Sequence, residues 1–206
     1  MDAGVSMILI WSGAYLIGSI PFAIIVTSLL RGIDVRSYGS GHAGATNTMR
    51  VAGWLPGIAV MCLDLGKGAF VASLALRYGS SAIVVWIASA LVIAGHCWPI
   101  FASFRGGMGM AAAGGVLLIL WPLGFVLGIG LAAAMQLIVR HSARANIATG
   151  ALLAPLWFLF GASVLQIGAA IASSMVVIIR ASSDWNRTYR EVWFDRQEDN
   201  QEQPNS

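Results

Sequence analysis

Long apolar stretches separated by short polar segments make up most of this chain. Residues 6–30, 54–76 and 81–101 are each apolar over the roughly 20 residues that a membrane-spanning helix needs. Two further apolar stretches, 109–139 and 147–179, are longer than one span requires. The pattern predicts an integral membrane protein built from helices.

The two longest stretches contain helix-breaking residues near their middles. Pro122 interrupts residues 109–139, and a proline inside a helix removes one hydrogen bond and clashes with the preceding turn. Gly161 and Ser163 interrupt residues 147–179 in the same way. We therefore predict an all-α fold of about seven transmembrane helices, with short or broken spans in the second half.

The positive charges favour one orientation in the membrane. Three arginines follow the first span, which places their segment on the cytoplasmic side by the positive-inside rule: Arg31, Arg36 and Arg50. A single span over 109–139 would put Arg140 and Arg144 outside, whereas two short helices hinged at Pro122 put them inside. Every Lys and Arg except Arg77 then lies inside or within a span. The N-terminus is predicted outside and the C-terminus in the cytoplasm.

Composition supports one membrane domain and a short tail. Hydrophobic residues make up 58% of the 206 residues and charged residues only 10%, which is far more apolar than a soluble domain. Residues 1–180 are predicted to form the membrane domain, and residues 181–206 a cytoplasmic, partly disordered tail with an acidic end. Cys62 and Cys97 are the only cysteines and form no C-x-x-C pair, so we expect no metal site. Nothing indicates nucleic-acid binding.

The segment GSGHAGATNTMR, residues 39–50, is the richest in polar donors. Its glycines allow the backbone to take positive φ values and to direct N–H groups into one concave space: Gly39, Gly41 and Gly44. Further neutral donors follow, namely Ser40, Thr46 and Asn47, and Arg50 adds a planar cation that can grip two phosphate oxygens. We predict a phosphate site here; the alternative is a flexible interhelical loop.

A second glycine-rich segment, SFRGGMGMA at residues 103–111, opens a helix from the same side of the membrane. The positive end of that helix, Arg105 and the amides of Gly106 and Gly107 favour an anion. A plain glycine-rich turn is the alternative. Because both segments lie on one face, we predict that they share a cavity suited to phosphate.

Three polar residues lie inside the predicted spans, where they are costly. Asp64 and Lys67 are three residues apart, so they share a helix face and can neutralise one another. His96 lies near the inner end of the third span. Each can either line a substrate pocket or lock helices together, and the sequence leaves both alternatives open.

Five motifs in order resemble one known family. GSIPF (18–22), DVRSYGSGHAGATNTMR (34–50), LDLGKG (63–68), GHCWP (95–99) and FRGGMGMA (104–111) are similar to motifs of the bacterial acyl-phosphate:glycerol-3-phosphate acyltransferases, the PlsY family. The resemblance covers about the first 110 residues. It implies a seven-span enzyme of the bacterial inner (cell) membrane that acts in phospholipid synthesis.

The implied reaction moves an acyl chain from acyl phosphate to glycerol 3-phosphate and yields lysophosphatidic acid, without a cofactor. An acyl phosphate is already activated, so the site must align the attacking hydroxyl and stabilise negative charge. On this basis we assign catalysis to Ser40, Asn47 and Arg50, and the second phosphate to Arg105 with the Gly106 and Gly107 amides.

The chain departs from the family pattern at several positions. His42 replaces an asparagine, and Met108 replaces a lysine of the second glycine segment. The family's C-terminal H-R-x-N-I pattern is matched only by Asn186. Either other arginines supply the missing charge, or the substrate has changed. The alternative to an enzyme is a divergent non-catalytic paralogue or a phosphate-ester transporter that keeps the anion-binding loops.

Overall fold

A computed structural model describes residues 3–187 of the chain, and helices account for nearly all of its regular structure. Nine α-helices follow one another in the described part: α1 Ala3–Gly18, α2 Phe22–Arg31, α3 Ala45–Ala52, α4 Trp54–Tyr78, α5 Ala82–Cys97, α6 Met110–Leu120, α7 Pro122–Val139, α8 Ser142–Leu159 and α9 Val164–Ser182. Short 3₁₀ helices occupy Val35–Ser37 and Ile100–Ala102. The all-α prediction is confirmed.

The helix breaks occur where the sequence indicates them. Pro122 is the first residue of α7, a position where its missing N–H costs nothing. Ser163 begins α9 in a capping box with Gln166, in which each side chain bonds the other residue's backbone N–H. Pro21 separates α1 from α2, so the first apolar stretch is also broken. Residues 109–139 therefore form two helices hinged at Pro122, as predicted.

Five helical segments are long and apolar enough to cross a membrane: Gly4–Arg31, Trp54–Tyr78, Ala82–Ala102, Pro122–Val139 and Val164–Ser182. The apolar α6 is shorter, and α8 begins with the polar sequence SARAN. Counting both would give seven spans, and that number stays a prediction. The described chain is nevertheless a multi-pass membrane protein by length and composition.

Side-chain size is distributed as expected for a bundle surrounded by lipid. The buried residues are mainly Ala and Val, together with Ile93 and Trp157. Large aliphatic side chains point outward instead; the exposed fraction is 79% for Leu55, 76% for Leu137 and 78% for Leu159. Membrane helices pack through small residues because lipid already solvates the large apolar ones.

Close packing between α1 and α5 explains the small residues of the GSIPF motif. A Cβ added at Gly18 would collide with the Val92 carbonyl, and one added at Gly95 would collide with the Tyr15 carbonyl. The Ser19 hydroxyl donates to the same Tyr15 carbonyl at 2.8 Å, so it needs no partner from another helix. These residues serve packing, as the sequence indicates.

Three segments meet at one end of the bundle: the connection between α7 and α8, the residues after α9, and the first glycine segment. His141, between α7 and α8, lies 3.1 Å from the Arg187 carbonyl, and Arg144 donates to the Trp185 carbonyl at 3.3 Å. Arg187 in turn donates to the Ser40 carbonyl at 2.9 Å. Arg144 and the first glycine segment therefore lie at the same end, as the hinge at Pro122 predicts.

Candidate functional site

The first glycine segment, residues 39–44 and the start of α3, is organised around the side chain of Asn47. Asn47 is 2% exposed, and its Nδ2 lies within 3.0 Å of the carbonyls of Val35, Tyr38 and His42. Its Oδ1 accepts the Ser40 N–H at 2.9 Å. Because every polar atom of this amide is used by the loop, we expect Asn47 to hold the loop in shape.

Two of the three glycines in this loop adopt the backbone conformation that the sequence predicts. Gly39 has φ +57° and Gly41 has φ +73°, in the left-handed region that favours glycine. Gly44 has φ −150°, which is extended backbone, and a Cβ there would meet nothing within 4 Å. The positive φ that the glycine at this position allows is therefore not adopted at Gly44.

The N–H groups of residues 40–44 do not form an open nest. Gly41 donates to the Tyr38 carbonyl, Gly44 to the His42 carbonyl, and Ala43 to the Gly106 carbonyl, at 3.0 to 3.3 Å. The donors suited to an anion lie one step further, at the first turn of α3. That helix has no side-chain cap, and first-turn N–H groups have no partner within their own helix.

The second glycine segment packs directly against the first. The Gly106 N–H donates to the Cys97 carbonyl and the Gly107 N–H to the His96 carbonyl, both at 3.2 Å. A Cβ on Gly107 would collide with the His96 ring and crowd the Ala43 carbonyl. The prediction that these two amides hold a phosphate is corrected: both N–H groups bond carbonyls at the end of α5, and a Cβ at either glycine would collide with that helix end. The uncapped start of α6 after Gly109 remains as the donor at this loop.

An arginine clamp ties the two loops together from the side. Arg36 makes an ion pair with Asp34 at 2.6 Å and donates to the Ala102 carbonyl at 2.7 Å. The hydrogen bond from Arg36 holds the pKa of the Asp34 carboxyl below its ordinary value. The clamp therefore persists down to acidic pH, and it fixes residues 34–37 against residues 100–105.

The end of α9 and the turn after it reach both loops, which the sequence did not indicate. Arg180 donates to the Gly107 carbonyl at 3.2 Å, and Arg187 donates to the Ser40 carbonyl at 2.9 Å. Asp184, 6% exposed, lies between them and bonds His42 Nε2 at 2.7 Å. On a continuous helix, residues 180, 184 and 187 would share one face, but α9 ends at Ser182, and it is the turn after the helix that brings Asp184 to both Arg180 and Arg187.

His42 is held neutral by its surroundings. Burial lowers the pKa of its imidazole, and the nearby charges of Arg180 and Arg187 act in the same direction, while Asp184 opposes them. The Nε2–H then donates to the Asp184 carboxylate, which keeps α9 attached to the first loop. His42 contributes a contact here and little positive charge.

The other predicted site residues are distributed around this junction. Arg50 lies in the last turn of α3, and Thr46 is exposed in its first turn. Arg105 is exposed, and its side chain makes no hydrogen bond or ion pair within residues 3–187, although its charge acts on Asp34; the guanidinium can therefore contact an anion. Asn186 is also exposed, in the turn after α9. The rest of the predicted tail lies outside the described residues.

A buried polar cluster lies immediately beneath the two loops. Asp64 Oδ1 pairs with Lys67 Nζ at 2.8 Å and lies 3.3 Å from His96 Nδ1. Lys67 also donates to the Ile20 carbonyl at 3.2 Å. The predicted mutual neutralisation of Asp64 and Lys67 is confirmed, and the cluster lines a small cavity with Ala43 and Gly106. It therefore supports the loops from inside the membrane.

No group of His, Cys, Asp and Glu suited to a metal ion occurs in the described chain.

Comparison with known proteins agrees with the motifs. The profile of a family described as "Glycerol-3-phosphate acyltransferase" matches residues 8–191. A protein of that name from Desulforamulus reducens is 37% identical over 153 residues, covering 74% of this chain and 76% of that protein. Another protein of the same name, from Geobacillus kaustophilus, is 45% identical over 113 residues, covering 55% of this chain and 57% of that protein.

Two solved structures resemble the whole bundle. The crystal structure of PlsY (YgiH), an integral membrane glycerol 3-phosphate acyltransferase, in its glycerol 3-phosphate form has a TM-score of 0.77 and 31% sequence identity. The similarity covers 88% of this chain and 91% of that one. The lysophosphatidic acid form of the same protein has a TM-score of 0.76 and 29% identity.

Proposed function

The chain belongs to the glycerol-3-phosphate acyltransferase family and is a multi-pass membrane acyltransferase, and we propose that its acyl donor is an acyl phosphate and its acceptor glycerol 3-phosphate. The products are lysophosphatidic acid and inorganic phosphate. The solved relative is described in a glycerol 3-phosphate form and in a lysophosphatidic acid form, which supports this acceptor and this product.

The junction of the two glycine loops is the observation that carries the proposal. The hydrogen bond from the Ala43 N–H to the Gly106 carbonyl, 3.3 Å long, joins the two segments that lead into the uncapped starts of α3 and α6. Each helix start carries partial positive charge and free N–H groups. A reaction between two phosphate-bearing substrates needs two such anion sites within reach of one another.

The chemistry requires no protein nucleophile. The acceptor hydroxyl oxygen attacks the acyl carbonyl carbon, a C–O ester bond forms, and the bond from that carbon to the phosphate oxygen breaks. The phosphate leaves with the electron pair, and the hydroxyl proton passes to it. The protein aligns the two substrates and stabilises the negative charge through Arg50, Arg105 and the helix starts.

Arginines at the end of α9 support the view that the two-phosphate site is retained. The sequence lacks a lysine at Met108 and carries a neutral His42, so positive charge must come from elsewhere. Arg180 and Arg187 both contact the loops through backbone carbonyls. Asp184 offsets part of that charge at 3.4 and 3.3 Å, so we expect a weaker grip on phosphate than a lysine at Met108 would give.

Purified protein in lipid provides the test. Palmitoyl phosphate and radiolabelled glycerol 3-phosphate should yield labelled lysophosphatidic acid, whereas palmitoyl-CoA in place of the acyl phosphate should not. Product formation from the CoA ester alone would refute the proposed donor. No product from either donor, with the protein folded, would favour the non-catalytic alternative, which the acyltransferase relatives do not support.

We also propose that the loop junction faces the cytoplasm in a bacterial inner membrane. The positive-inside rule supports it, because Arg31, Arg36 and Arg50 lie near the loop end of the bundle. In whole cells, a cysteine at exposed Ser80 should react with an impermeant thiol reagent, and one at exposed Ser103 should not. The reverse labelling pattern would invert the orientation.

A further inference from the structure

An apolar cavity lies among α6, α7, α8 and α9. The empty space in and around it amounts to about 550 Å³, which includes open space at its mouth. Most of its wall is aliphatic or aromatic, with Leu117, Phe125, Ile129 and Leu153 among the lining residues. Such a cavity suits an alkyl chain.

The cavity begins next to the glycine-loop junction. Met110, the first residue of α6, lines it, and so does Val177, which lies next to Gly109 of the second loop. An acyl group whose phosphate is held at the junction can therefore extend its chain into the cavity. This step rests on the proposed acyl transfer.

Four polar side chains interrupt the apolar wall, namely Asn146, Thr149, Ser173 and Ser174, and the two serines differ from the others. Ser173 and Ser174 line the cavity and are only 2% and 6% exposed. Neither Oγ has a hydrogen-bond partner in the part of the chain that the structure describes. Unpaired buried hydroxyls are unfavourable, so two on one wall indicate that something else supplies their partner.

Other hydroxyls in this bundle bond to their own helix. Ser89 donates to the Val85 carbonyl at 2.7 Å, and Thr149, on the facing helix of the cavity, donates to the Ala145 carbonyl at 2.8 Å. This back-bonding to the fourth preceding carbonyl is the usual solution for a serine or threonine inside a helix. Ser173 and Ser174 lack this bond to their own helix.

The depth of the pair can be estimated along α9. Arg180 contacts the Gly107 carbonyl, and Ser174 lies six residues before it, which corresponds to roughly 9 Å along the helix axis. The hydroxyls therefore lie well below the site of the reacting carbonyl, beside the middle of a bound chain.

We propose that Ser173 and Ser174 make this cavity selective for an acyl chain that carries a hydroxyl group along its length. A chain hydroxyl at the right depth donates to one serine and accepts from the other. A saturated chain without a hydroxyl group leaves both serines unpaired. A site built to bond a substrate hydroxyl discriminates against the analogue that lacks it. The pair is thus a specificity determinant for the donor.

The test compares palmitoyl phosphate with hydroxypalmitoyl phosphates whose hydroxyl stands at successive carbons. The readout is the ratio of kcat/KM for each hydroxylated donor to that for palmitoyl phosphate. For a hydroxyl at one chain position the ratio should be about two to ten, which corresponds to the net effect of one hydrogen bond. The double variant Ser173→Ala with Ser174→Ala should return the ratio to one.

Ser89→Ala is the matched control, because it also removes a buried hydroxyl but lies outside the cavity lining. It should keep the ratio of the native protein. A ratio of one at every chain position in the native protein would overturn the proposal. So would a preference that persists in the double alanine variant.

A binding measurement separates this proposal from the proposed reaction. In lipid nanodiscs, the best hydroxypalmitic acid should raise the unfolding temperature of the native protein more than palmitic acid does. The difference should vanish in the double alanine variant. If no donor is turned over, the proposed reaction is refuted, but the binding measurement still tests the selectivity of the cavity. Equal stabilisation by both acids would refute that selectivity.

Discussion

Replacing Asn47 with alanine tests whether this residue shapes the glycine loop or touches the substrate. The Asn47 amide has two N–H donors, shared among the carbonyls of Val35, Tyr38 and His42, and one oxygen that accepts from the Ser40 N–H. Alanine removes all of these and leaves buried backbone groups without partners.

The cost can be estimated from the hydrogen bonds. Three bonds at about 1 kcal/mol net each amount to about 3 kcal/mol, and unpaired buried carbonyls add to this. A loop weakened by that amount is less populated in its binding-competent form. The apparent KM for glycerol 3-phosphate should rise, by up to roughly a hundredfold, because affinity scales with the competent fraction.

The assay pairs KM for glycerol 3-phosphate with thermal unfolding in the same lipid. Asn47→Asp keeps one acceptor but turns an oxygen toward three carbonyls, so it should be at least as harmful as alanine. Ser37→Ala, an exposed position just before the loop, should behave as the native protein. If Asn47→Ala unfolds like the native protein and lowers only kcat, Asn47 acts on the reacting atoms and the positioning role is refuted.

Three further predictions concern charge at the junction. Burial lowers the pKa of His42, so the unfolded chain binds a proton where the folded protein does not; thermal stability should fall as the pH drops below about 6.5, and His42→Asn should remove this step. A flat pH profile in the native protein would contradict it. Arg50→Lys should lose most acyl transfer without loss of folded protein, because an ammonium cannot replace a two-point guanidinium contact; near-native turnover would remove Arg50 from the site. Met108→Lys should lower KM for glycerol 3-phosphate, since a cation there adds attraction on the order of a few kcal/mol. An unchanged or higher KM would count against two phosphates at the junction.

One departure from the family pattern takes part in a long-range contact. His42, which replaces an asparagine of the family motif, bonds Asp184 at 2.7 Å although 142 residues separate them. The same contact brings Arg180 and Arg187 to the loops. The residue that replaces the family's asparagine thus joins the first loop to the turn after α9.

Local pattern alone determined the class of the protein and its framework. Apolar length predicted membrane helices, and the helix break at Pro122 follows from a property of a single residue, because a proline has no N–H wherever it stands. The position of Arg144 at the same end as the glycine loops follows from the number of membrane crossings between them, combined with the positive-inside rule. Asp64 and Lys67 were paired from spacing alone, since residues three apart on a helix are always neighbours.

Only the tertiary structure decided which donors remain available to a substrate. Gly106 and Gly107 looked like phosphate ligands, yet their N–H groups bond carbonyls at the end of α5, and the Asn47 amide is used by its own loop. Glycine and asparagine suit ligand binding and tight packing equally well, so residue type cannot separate the two uses. The contacts of Asp184, and the absence of a hydrogen-bond partner for the Ser173 and Ser174 hydroxyls in the described chain, likewise depend on how distant helices pack. No local pattern along the chain contains that information.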